Sequence, residues 1–90
     1  MLSTIITTDG IHRNVEPSNG TDFSLEELKE FVGGYIEIVR LSKSQIMVVN
    51  EEGKLNDLAP NPCATLLVQI AGHRDVIVGN VLVCDTNKIK

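Results

Sequence analysis

Gly33 to Asn61 reads GGYIEIVRLSKSQIMVVNEEGKLNDLAPN, and the fold turns on how this stretch is divided. Tyr35 to Leu41 and Gln45 to Asn50 are rich in β-branched and apolar residues, and the short polar Ser42-Lys43-Ser44 between them predicts a β-hairpin. Alternation places Tyr35, Glu37, Val39 and Leu41 on one face and Ile36, Ile38 and Arg40 on the other; in the second strand Ile46 and Val48 oppose Met47 and Val49. Neither face is wholly polar, so these strands are expected to be central, or partly covered on both sides. Asn50-Glu51-Glu52-Gly53 then turns the chain. Leu55 and Leu58, in the connector Lys54 to Ala59, are expected to anchor on the core.

Upstream of the hairpin, Ser24 and Glu27 have the spacing of a capping box, in which each side chain satisfies the other's backbone amide. Leu25, Leu28, Phe31 and Val32 share a face of the helix that follows, and Gly33-Gly34 supplies a left-handed stop. A helix of about two turns does not persist alone and must lie on a sheet. Before it, Leu2 to Thr8 and Ile11 to Val15 read as two short strands joined at Asp9-Gly10, and Glu16 to Asp22 is a loop of turn-forming residues.

Downstream, Asn61 caps a second helix with Pro62 at its first position, where a missing N–H costs nothing; it should run to about Ala71 before Gly72. Ala64, Leu67, Val68 and Ala71 make its apolar stripe, widened by Leu66 and Ile70, which predicts deeper burial than for the first helix. Asp75 to Asp85 is β-rich and broken at Gly79-Asn80, as a tight hairpin turn or a bulge. The order predicts a single α+β domain over residues 1–90, with a mainly antiparallel sheet and two short helices packed on one face.

The chain has 90 residues, 42% hydrophobic and 22% charged, enough for one small aliphatic core. Its 12 acids against 8 bases, a formal charge of −4 with the bases scattered, disfavour direct nucleic-acid binding. No run approaches the ~20 apolar residues of a membrane helix, and the N-terminus lacks an export pattern, so a cytoplasmic protein is expected. Cys63 and Cys84 belong to no metal or redox spacing and read as reduced, buried thiols.

Phe23-Ser24-Leu25-Glu26-Glu27-Leu28, Val32 to Glu37, Val49 to Leu55, Pro60-Asn61 with Ala64-Thr65, and Val78 to Leu82 together resemble a family of small proteins of bacteriophages and bacterial mobile elements, catalogued as a domain of unknown function. The likeness runs from about Ile11 to Val83. It implies a phage- or mobile-element-derived accessory protein in the bacterial host's cytoplasm, and brings no activity, cofactor or catalytic residue to carry over.

No P-loop, dinucleotide fingerprint, zinc spacing or Ser/His/Asp order is present, so no cofactor, metal or catalytic residue is assigned. Cys63 at a helix start has the placement of an activated thiol, but its base would have to be the sequence-distant His12 or His73. The acidic turn carries more weight. Asn50, Glu51 and Glu52, with Asn61, Tyr35 and Glu37 next, are the candidate binding residues, since loops on a rigid scaffold are where such residues gather. Against this stands the plain reading of solvated glutamates and two asparagines that satisfy backbone groups. Two functions remain: a non-enzymatic binding module acting on a host protein or a small polar ligand, or a small hydrolase- or lyase-type enzyme using the acidic turn with Tyr35 or Glu37.

Overall fold

A computed structural model describes residues 3–89, and the hairpin is where the sequence places it. Ile36–Arg40 (β3) pairs with Gln45–Asn50 (β4), Ile38 opposite Val48. On its other side β4 pairs with Val81–Asp85 (β5), which pairs in turn with Ser3–Ile6 (β1), and β1 with His12–Val15 (β2). All four pairings are antiparallel, and the sheet order is β2-β1-β5-β4-β3. The expected start of the first strand at Leu2 lies outside the described residues.

The two helices flank the sheet rather than share a side of it, contrary to the single covered face expected above. Leu28 and Val32 of Leu25–Val32 (α1), with Phe23, pack on Ile5, Ile46, Val48, Leu82 and Cys84. Ala64 and Val68 of Pro62–Ile70 (α2) pack on Ile6, Met47, Val49, Val81 and Val83. The cause is in β4 and β5: successive side chains point to opposite faces, both strands are apolar at successive positions, and both sides therefore need a cover. The α+β class and the antiparallel sheet stand.

Helix α1 is bounded as its sequence dictates. The Ser24 hydroxyl accepts from the Glu27 amide at 3.1 Å, the Glu27 carboxylate accepts from the Ser24 amide at 3.0 Å, and Gly33 closes the helix at φ 83°. Leu25, in its first turn, remains 53% exposed.

Helix α2 touches the sheet through a narrower stripe than expected. Ala64 and Val68 are fully buried with Cys63 and Leu67 half-buried beside them, whereas Leu66 and Ile70 are exposed, because they lie on the opposite side of the helix from Ala64 and Val68. Leu55 likewise projects into solvent, and only Leu58 of the connector packs inward, against the backbone at Gly79.

The Asp75–Asp85 run is neither hairpin nor bulged strand. Val81–Asp85 alone is a strand; Val78 makes an isolated bridge with Pro60, and Gly79 takes a left-handed φ of 78° to redirect the chain between them. The left-handed φ favours glycine there, and a Cβ at Gly79 would sit 2.7 Å from Leu58 Cδ1, so any other residue would also push the Leu58 side chain aside.

Candidate functional site

The expected site residues fall into three environments. Asn61 is completely buried: its side-chain amide donates to the Ile6 and Gly79 carbonyls at 3.0 and 2.9 Å, and its Oδ1 accepts from the Ala64 amide at 3.1 Å. It caps α2 and ties that helix to β1 and to the Gly79 turn, leaving nothing to offer a ligand. Asn50 is nearly as buried, donating to the Val32 carbonyl at 3.1 Å and accepting from the Glu52 amide at 2.8 Å. One side chain thereby joins the end of α1 to the turn after β4.

Glu37, Asn50 and Glu51 come together. They line a hollow of about 130 Å³ whose floor includes Val49 and whose far wall is the irregular segment Asp75–Val78. Across its rim the Lys54 ammonium bonds the Asp75 carboxylate at 2.5 Å. That hydrogen bond, first, holds the Asp75 carboxyl below its ordinary range, helped by the Val76 amide. A second hollow of about 200 Å³ shares Glu37, Asp75 and Ile77 with the first and extends past Val39 to Arg40 and His73. The two make a groove along β3.

Glu52 and Tyr35 do not line it. Glu52 is exposed, and Tyr35 is 63% exposed with the Lys29 ammonium 5.1 Å from its ring centroid, a cation–π contact; only its carbonyl, accepting from the Glu51 amide at 2.9 Å, joins it to the acidic turn. The residues that sequence reasoning missed are Lys54, Asp75, Arg40 and His73. Lys54 and Asp75 lie 21 positions apart, so no local pattern pairs them.

Beside the groove runs the open edge of the sheet. In an antiparallel pair only alternate residues direct their N–H and C=O toward the partner. The Glu51 amide bonds the Tyr35 carbonyl and the Leu41 amide bonds the Gln45 carbonyl at 3.0 Å, so the odd residues of β3 face β4. The even residues, Ile36, Ile38 and Arg40, therefore turn their backbone groups outward. The Arg40 carbonyl confirms the direction, since His73 Nε2 meets it at 2.7 Å; a carbonyl only accepts, so Nε2 carries the proton. Among the described residues, no hydrogen bond reaches the outward groups of Ile36 and Ile38.

Both cysteines are free. Cys84 is buried, and burial, then the Asp85 charge, pushes its thiol up to about 11; Cys63 is half-buried at the start of α2. Among the described residues, no group of three or more His, Cys, Asp or Glu side chains is placed to hold a metal ion, and no helix is long and apolar enough to cross a membrane.

Compared with known proteins, residues 5–89 match a family described as a domain of unknown function (DUF3846), and the chain belongs to that family. No curated protein and no solved structure matches it.

Proposed function

We propose that this member of the family is a non-enzymatic binding module, and that its working surface is the outer edge of β3 with the groove beside it. The observation that carries the reading is the pair of outward-facing residues Ile36 and Ile38, whose N–H and C=O groups meet no partner among the described residues and stand next to hollows lined by Glu37. An extended segment of a protein partner laid along this edge would add a sixth strand, with backbone hydrogen bonds for affinity and the groove for side-chain selection. A host protein is the partner class favoured over a small polar ligand, because the two hollows run together as an open groove along a strand edge, a shape that suits an extended segment better than an enclosed small molecule. The enzyme alternative has less support, since Tyr35 stands under Lys29 while Glu37 lines the groove.

The origin in a phage or mobile element rests on the likeness of the Phe23–Leu28, Val32–Glu37 and Val49–Leu55 motifs. Two free thiols, one of them buried in the core, support a reducing, cytoplasmic compartment. The test is site-specific photo-crosslinking in a bacterial host, with a photoreactive residue at position 38 or, as control, at exposed Asn19. A discrete adduct from position 38 alone is expected. An adduct from position 19 with none from 38 would move the working surface elsewhere.

A further inference from the structure

Resting on the docking reading above, we infer that the segment β3 takes up is basic: an extended strand of another protein in which a lysine or arginine alternates with β-branched apolar residues. The pairing geometry assigns the pattern. Residues of an added antiparallel strand that exchange hydrogen bonds with Ile36 and Ile38 lie opposite them and share their face of the sheet. On that face Ile38 is 43% exposed and Ile36 half-buried, so apolar side chains are wanted there.

The residue between them falls opposite Glu37, on the groove side. Glu37 and Glu51 line the first hollow, and its one lining cation, Lys54, is held by Asp75. A basic side chain at that position meets Glu37 across the strand pair and reaches toward Glu51. The His73 contact at the Arg40 carbonyl ends the available edge, so the recognised core is short: apolar, basic, apolar.

A second copy of this chain is a poor occupant. Pairing two β3 edges about Ile38 puts Glu37 opposite Val39 of the other copy and diagonal to its Glu37, with like charges facing each other on one face. The β2 edge, also open, presents His12 and Asn14 and borders neither of these hollows.

The probes are two capped, fluorescein-labelled peptides, Thr-Val-Lys-Val-Thr and Thr-Val-Glu-Val-Thr, titrated at low salt into the parent protein and into Glu37→Lys, with amide shifts followed by NMR. Glu37 is exposed, so the charge reversal leaves the fold intact. The lysine peptide should bind the parent about five- to tenfold more tightly, as expected for turning an exposed attraction into a repulsion, and the order should reverse in Glu37→Lys. Equal binding of both peptides, with shifts at Ile36 and Ile38, overturns the basic preference and leaves edge docking standing. Shifts confined to His12–Val15, or none anywhere, overturn edge docking on β3 as well. Shifts at Ile36 and Ile38 that grow with protein concentration alone would replace the peptide by a second copy.

Discussion

The Asn50 side-chain amide donates to the Val32 carbonyl at 3.1 Å, so the last residue of β4 holds the last turn of α1 while its Oδ1 fixes the turn that carries Glu51 and Glu52. The acidic turn is thus positioned by the core. Gly34 is part of the same junction, since a Cβ there would lie 3.1 Å from Asn50 Nδ2. Asn50→Ala should cost about 1–3 kcal/mol by leaving buried backbone groups unsatisfied, read as a lower urea midpoint. An unchanged midpoint would detach the turn from the core.

Asn61→Ala should be at least as damaging, because it removes both the α2 cap and two buried hydrogen bonds, for a loss of about 2–4 kcal/mol. Denaturant unfolding of this variant alongside Gln69→Ala, an exposed change on the same helix, separates cap from helix; equal midpoints would contradict the role given to Asn61.

The opposed placement of the helices has a thermodynamic signature. Leu28→Ala should cost about 2–5 kcal/mol and Val68→Ala about 1.5–3 kcal/mol, and because the sheet separates the two cores, the double variant should show their sum. Marked non-additivity would mean that the two side chains share a packing environment.

Acid lowers stability through two carboxylates whose folded pKa values are depressed. Glu27, bonded first by the Ser24 backbone amide and then by that of Ser18, sits below its ordinary 4.5, and Asp75, bonded by Lys54, below its ordinary 3.8. A depressed folded value means the ion is favoured in the native state, so the contribution is present above the ordinary value and lost as pH falls through the folded one. Glu27→Gln should therefore melt below the parent at pH 7, with the gap closing toward pH 3. A gap independent of pH would show that the carboxylate charge contributes nothing.

Cys84 should resist thiol reagents at pH 8 until the protein unfolds, given its complete burial and a pKa pushed to about 11, while Cys63 labels in the native state. Equal native labelling rates would contradict the burial of Cys84 on β5 beneath α1.

Local signals carried much of this fold. The Ser24/Glu27 box, the Gly33 stop, the Asn61-Pro62 start and the β3–β4 hairpin are each set by neighbours within a few residues, and each is where the sequence places it. The apolar residues at successive positions of Ile46–Val49 already point to two covered faces, yet two short amphipathic helices suit a one-sided layer just as well, and pattern alone does not choose. Leu66, Ile70 and Leu55 show the same limit: hydrophobic period marks what can be buried, not how wide a stripe the sheet admits. Of the candidate site, Glu37, Asn50 and Glu51 meet because two of them are neighbours in sequence and the third lies across the hairpin. Lys54 follows Glu51 by three positions in the same turn, whereas Asp75 and His73 reach the groove only through the path of the chain around α2, which no short-range pattern encodes.

The availability of the β3 edge is tested most directly by amide hydrogen exchange at single-residue resolution, without and with the lysine peptide. In the free protein Glu37 and Val39, bonded to β4, should be protected while Ile36 and Ile38 exchange near the rate of an unstructured chain; the peptide should slow Ile36 and Ile38 specifically. Protection of Ile36 and Ile38 in the free protein, or exchange there that the peptide leaves unchanged, would contradict an edge open for docking.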